Sequence, residues 1–151
     1  MITVHGRTVD QKKQFVGSVN WDAIRQVKEA VSIPVIANGG VSTRADALAC
    51  LEATGADAVM SSEALLENPR LFSEAGDHDF RCSYTKSQLQ VVREYLRLVE
   101  AHDFHKQPKI VRGHLFKMLF RYISAERNHD LRNKLGICDY NGMREIVEEI
   151  E

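Results

Sequence analysis

Residues 33–63, IPVIANGGVSTRADALACLEATGADAVMSSE, decide the fold, since they read as strand, glycine turn, helix and strand in succession. Val35, Ile36 and Ala37 form a short apolar run between Pro34 and Asn38-Gly39-Gly40, which suits a parallel strand buried on both faces. Gly39 and Gly40 accept positive φ and leave their backbone N–H groups uncovered, so an anion can approach the main chain. Thr43 with Asp46 three residues on matches a capping box. The helix then carries Ala45, Leu48, Ala49 and Leu51 and stops at Gly55. Ala58, Val59 and Met60 make a further buried strand ending in Ser61-Ser62-Glu63, where another helix begins. In a β/α barrel two successive strand ends that each open onto a turn and a helix N-terminus form the phosphate site after strands seven and eight, whereas in an ordinary βαβ unit the same pattern holds no ligand.

Toward the N-terminus, Met1-Ile2-Thr3-Val4 reads as a strand running into His5-Gly6-Arg7-Thr8. Three strands, at 1–5, 33–37 and 57–61, alternate with helices, which demands a parallel sheet with right-handed crossovers. Three strands do not close a barrel, so the pattern implies that preceding strands are missing or come from another chain. The loop 8–20 is polar, basic at Lys12-Lys13, and sits where barrel active sites are built. Asn20 caps a helix through Val31 with Ile24, Val27 and Val31 on one face, and Trp21 staples its start. A short helical piece from Ala64 to Phe72 is broken at Pro69.

From Thr85 the pattern is helical only. Leu89, Val92, Leu96 and Val99 form one stripe, Val111, Leu115, Met118 and Tyr122 a second, and Met143, Ile146, Val147 and Ile150 a third. His114, Lys117 and Arg121 align on another face of the second helix, close to Lys106 and Lys109. The expected fold is α/β, the C-terminal part of a (β/α)8 TIM barrel with three parallel strands, followed by a small all-α domain. Its divisions are 1–76 for the partial barrel, 77–84 for a linker and 85–151 for the helices.

Composition sets the limits. A chain of 151 residues with 44% hydrophobic content buries a real core. No apolar run approaches the roughly 18 residues of a membrane span, and no signal-peptide pattern follows Met1, so a cytoplasmic setting is expected, with the nucleus also open. Cys50, Cys82 and Cys138 are odd in number and lack metal-ligand spacing, which argues for free thiols and against a disulfide framework or metal site. Net charge is −1, yet 105–134 holds eight Lys/Arg against two Asp/Glu. Such an excess suits a polyanion, though most basic helix faces are merely solvated.

His5 ends its strand, where an imidazole can donate to a cofactor or serve only structure. Arg7, two residues on, is expected on the same face, with a planar fork for phosphate or carbonyl oxygens or for a surface ion pair. Any phosphate contact at Ser62 and Glu63 must use backbone N–H groups, because an inward carboxylate would repel the anion. Cys50, mid-helix among alanines and leucines, reads as a small core residue.

HGRT at 5–8, VIANGGV at 35–41, GADAVMSSEALLENPRLF at 55–72 and VRGHLFKMLF at 111–120 together resemble the tRNA-dihydrouridine synthase family, most closely its eukaryotic (16/17) branch. The resemblance implies an FMN-dependent barrel and a helical tRNA-binding domain, with NADH or NADPH as reductant. Hydride goes to uracil C6 and a cysteine protonates C5. By this resemblance His5, Asn38, Gly39, Gly40, Ser62 and Glu63 border the flavin. Arg7, Lys109, His114, Lys117 and Arg121 face tRNA. Ser62-Glu63 stands where the family has Gly-Arg, which keeps the backbone donors and loses the arginine. The family's N-x-x-C-P cysteine and K-x-R lysine motifs do not occur in this sequence, so no catalytic residue is assigned. The chain alone is expected to be inactive and to need the missing N-terminal barrel half. Two other readings stand beside it: another FMN-dependent barrel oxidoreductase acting on a small molecule, and a non-catalytic tRNA-binding module.

Overall fold

A computed structural model of the protein describes residues 1–11, 17–74 and 86–150, with Lys86 described by its backbone alone. The expected linker 77–84, Cys82 and Lys12-Lys13 lie outside the described residues. The described chain forms two compact units, one holding 1–65 and 70–74, the other 66–69 and 86–150.

In the first unit β1 (Ile2–His5), β2 (Val35–Asn38) and β3 (Ala58–Met60) pair in parallel in the order β1-β2-β3. The register sets Thr3 beside Ile36 and Ala58, and His5 beside Asn38 and Met60. Strand β2 starts at Val35, later than the pattern suggested: Pro34 has no N–H to give a ladder, although its carbonyl accepts from Ile2 N at 2.9 Å. The crossovers are α1 (Trp21–Ala30) and α2 (Arg44–Thr54). Asn20 caps α1 by accepting from Ala23 N, and Thr43 and Asp46 form the expected capping box on α2. Gly55 ends α2 in the left-handed region at φ 64°, where a Cβ would add strain.

Helices α1 and α2 cover one face of the sheet. Val35 and Ala37 are fully buried with Ile24, Ala47 and Cys50, and Ile2, Val4 and Val59 pack against that cluster. The expectation of strands buried on both faces is corrected here. Thr3, His5, Ala58 and Met60 are exposed and Ile36 half-buried, because strand alternation sends them to the face opposite the helices. In α2 the inward residues are Ala47, Cys50 and Thr54, while Leu48 is 52% exposed. Close packing dictates the glycine of the HGRT stretch: a Cβ on Gly6 would stand 2.5 Å from Val19 Cγ1 and 2.8 Å from Asn20 O. Helix α3 (Glu63–Glu67) ends two residues before Pro69.

In the second unit the described residues from Lys86 on are helices and turns: α4 (Lys86–Ala101), α5 (Pro108–Met118), α6 (Phe120–Ile123), α7 (His129–Ile137) and α8 (Tyr140–Glu149). Leu89, Val92, Leu96 and Val99 of α4 meet Val111, Leu115 and Met118 of α5 and Met143, Ile146 and Val147 of α8 in one cluster. The second stripe reaches Tyr122, which packs against this core, but not along one unbroken helix. The helix breaks at Leu119 (φ −94°, ψ 2°), so that Leu119 and Ile123 are both fully buried and Tyr122 is only half-buried. Helix α7 shows little apolar periodicity. Leu135 is its buried residue, with Leu131 packed against the same core.

Candidate functional site

At the C-terminal ends of the three strands lies an open depression of ≈ 490 Å³ lined by His5, Arg7, Asn38–Ser42 and Met60–Ala64. Parallel pairing forces this convergence, because every strand ends at the same edge of the sheet. His5, Asn38 and Met60 form one row across the open face, by register alone.

The turn after β2 is the tightest part of this edge. Gly39 and Gly40 hold φ of 104° and 75°, values that L side chains rarely adopt. A Cβ on Gly39 would stand 2.8 Å from His5 Cε1, so the glycine lets the backbone approach the imidazole. Trp21 Nε1 donates to the Gly39 carbonyl at 3.2 Å, and Ser61 Oγ donates to the Val41 carbonyl at 2.8 Å. Trp21 therefore pins the turn in addition to opening α1, and Ser61 ties the end of β3 to the end of β2. Neither role has a local sequence signal, since the partners are 18 and 20 positions apart.

The α2 N-terminus is less available to an anion than its position suggests. Asp46 Oδ2 accepts from Ser42 N at 3.0 Å and Thr43 N at 2.9 Å, so this carboxylate occupies the N–H groups of the cap and of the residue before it and sets a negative charge at the helix start. The main-chain groups of Gly39 and Gly40, just before the cap, are what this side offers. Across the depression Ser62 and Glu63 are exposed at the start of α3. Arg7 is half-buried, and its Nε donates to the Gly17 carbonyl at 2.9 Å, which holds the guanidinium to the loop after β1.

The second set of expected residues belongs to the helical unit. Lys109 and Arg121 are exposed, and Lys117 is half-buried. His114 Nδ1 lies 2.7 Å from Tyr95 OH, the rings meeting edge-on at 5.6 Å. Burial, with Tyr140 secondary, pushes the Tyr95 phenol up to about 12, so it keeps its proton and can donate to Nδ1. The break at Leu119 puts Arg121 on α6, so His114, Lys117 and Arg121 do not share one unbroken helix. Two cations of this stretch are committed inside the unit: Arg112 Nη2 donates to the Cys138 carbonyl, and Lys106 pairs with Asp103 at 3.2 Å.

Neither described thiol lines the depression. Cys50 is fully buried and Cys138 half-buried, and loss of solvation pushes both up from the ordinary thiol value. Among the described residues no group of His, Cys, Asp and Glu gathers as a metal site would require, and no helix is long and apolar enough to cross a membrane.

A family model described as dihydrouridine synthase matches residues 1–149. A mouse protein named tRNA-dihydrouridine(16/17) synthase [NAD(P)(+)]-like is 37% identical over 136 residues, covering 90% of this chain and 26% of its own length. The Saccharomyces cerevisiae tRNA-dihydrouridine(16/17) synthase [NAD(P)(+)] is 30% identical over 151 residues, 98% of this chain and 35% of that protein. A probable tRNA-dihydrouridine synthase of Rickettsia conorii is 41% identical over 105 residues, 66% of this chain and 31% of its own. The chain thus spans about a quarter to a third of the length of these relatives.

Proposed function

This chain belongs to the dihydrouridine synthase family, and from that premise we propose that it carries the phosphate side of an FMN site and the tRNA-gripping helices of an enzyme reducing uridine to 5,6-dihydrouridine in tRNA. The reading takes 1–76 as part of a TIM barrel and 85–151 as a small all-α domain, in a cytoplasmic or nuclear protein.

The observation that carries it is the gathering of His5, Asn38, Gly39, Gly40, Ser62 and Glu63 around one depression at the strand ends. These residues fit the phosphate end of a flavin mononucleotide: two glycines at positive φ leave their main chain open, and a Cβ at Gly39 would displace the imidazole beside it. Bound there, FMN would supply the hydride for the uracil ring, drawn from NADH or NADPH. The chain's own residues do the holding. Backbone N–H groups of Gly39, Gly40, Ser62 and Glu63 would hold the phosphate, the His5 imidazole would contact the flavin, and Arg7, which lines the same depression, would face the substrate. Proton delivery to C5 falls to a cysteine outside the motifs of this chain, which is why activity needs a further barrel portion.

The test is a titration of the 15N-labelled chain with FMN and with riboflavin, which lacks the phosphate. FMN is expected to shift the Gly39, Gly40, Ser62 and Glu63 amide resonances and riboflavin to leave them in place. The chain alone is expected to bind FMN weakly, so the titration runs to high FMN concentration; if FMN moves none of these resonances even there, the flavin reading fails. For tRNA, replacing Lys109, Lys117 and Arg121 together with Ala should flatten the salt dependence of binding by about 0.7–0.9 log units for each phosphate no longer neutralised. Equal slopes for wild type and triple variant would mean that this face is only solvated.

A further inference from the structure

We propose that the Phe120 ring is a stacking platform for an unpaired base of the bound RNA. The inference rests on the reading of the helical unit as RNA-binding and adds to it a base contact. Phe120 opens α6 directly after the break at Leu119 and is 48% exposed; among the described Phe and Tyr rings of the unit Phe104 alone is as open to solvent. Its surroundings are cationic: Lys117 precedes it by three residues, Arg121 follows it, and the stretch 105–134 carries eight Lys/Arg against two Asp/Glu. On α5, four residues before Lys117, the surface is open, since a Cβ on Gly113 would meet nothing within 4 Å, and exposed Lys109 lies a further turn back.

The neighbouring aromatic is already used. Arg132 holds its guanidinium 5.9 Å from the Phe116 ring centre, a cation–π contact that joins α7 to α5 and covers that ring. Phe104, 49% exposed, has a different setting: its neighbour Asp103 is acidic and draws Lys106 into an ion pair at 3.2 Å, so a phosphate chain would meet a carboxylate there. At Phe120 an apolar face and flanking cations coincide, the combination that binds single-stranded nucleic acid by pairing stacking with phosphate contacts.

The experiment uses the whole chain with a tRNA transcript, a single-stranded oligonucleotide carrying 2-aminopurine and a blunt RNA duplex, with far-UV circular dichroism to check that each variant is folded. Phe120→Ala and Phe120→Leu are expected to weaken tRNA and single-strand binding by about 5- to 150-fold, the loss of one stacked base. The slope against salt should stay unchanged, because no phosphate contact is removed. Phe120→Trp should bind as well as wild type and quench the 2-aminopurine, and duplex binding should not respond to any of the three. If Phe120→Ala binds as wild type while Lys109→Ala weakens binding, the base contact is overturned and the RNA reading survives. A Trp variant as weak as Ala overturns it as well. No RNA binding by wild type at low salt removes the RNA reading and this inference together.

Discussion

In the helical unit fifteen described side chains bury one another from α4, α5, α6, α7 and α8, and no sheet face or groove is needed to complete the cluster. In the α/β unit seven do so, between one sheet face and two helices, while Thr3, His5, Ala58 and Met60 on the other face stay exposed. The difference separates two ways of carrying function. A closed core can act only through its outer surface, where the basic stretch and the proposed Phe120 platform lie. A half-covered sheet offers a row of side chains at its C-terminal edge, and there the candidate flavin residues lie.

The largest effect expected from this comparison is in the closed core. Leu115 is fully buried, and Leu115→Ala should cost about 2–5 kcal/mol, read as a lower urea midpoint in far-UV circular dichroism. The sole tryptophan, Trp21, sits in the other unit and reports on it by fluorescence. If Leu115→Ala moved the Trp21 transition by the same amount, the two cores would be one cooperative structure and the comparison would break.

Next comes the glycine turn. Gly39→Ala should cost about 1–2 kcal/mol for a left-handed backbone, with the displacement of His5 added, since the new Cβ would lie 2.8 Å from its ring. The loss should appear in the Trp21 transition, because Trp21 holds the Gly39 carbonyl. An unchanged Trp21 transition would show that the turn is not strained. A smaller effect, about 1 kcal/mol, is expected for Thr43→Ala through removal of the α2 cap. Finding the loss in the helical signal alone would contradict the division of the cores.

The smallest effect is a pH dependence at Asp57, which lies at the start of β3. Its carboxylate accepts from Lys28 Nζ at 2.6 Å and from Val35 N at 2.8 Å, and these two donors, the lysine first, hold it below the ordinary carboxylate value. A lowered carboxyl binds fewer protons folded than unfolded, so its contribution is present above the ordinary value and is lost as the pH falls through the folded one. Asp57→Asn should therefore flatten the acid limb of the Trp21 transition below about pH 4 and leave the helical unit's acid limb as it was. An identical acid limb in the variant would mean that solvent screens the pair completely.

Much of the first unit was legible residue by residue. The strands, the Asn20 cap, the Thr43–Asp46 box, the left-handed Gly55 and the burial of Cys50 follow from patterns spanning two to four positions. The covering of the strands was not legible: alternation shows that a strand has two faces, but which face finds helices depends on both crossovers. Among the residues expected to face tRNA, the place of His114 was hidden for a similar reason. Its partner Tyr95 is 19 positions away, on another helix.

By itself the sequence determined the order of elements in the first unit, the glycine turn that brings main chain to the strand ends, and the excess of cations on 105–134, because each is written in neighbouring residues. Only the tertiary structure decided that Trp21 and Ser61 fasten that turn, that Arg112 is spent on the Cys138 carbonyl, and that the helix breaks at Leu119 so that Ile123 is fully buried beside a half-buried Tyr122. The physical reason is range. Backbone propensity and capping act within a turn of chain, whereas a donor's commitment or a ring's exposure is set by whichever distant element the core brings beside it.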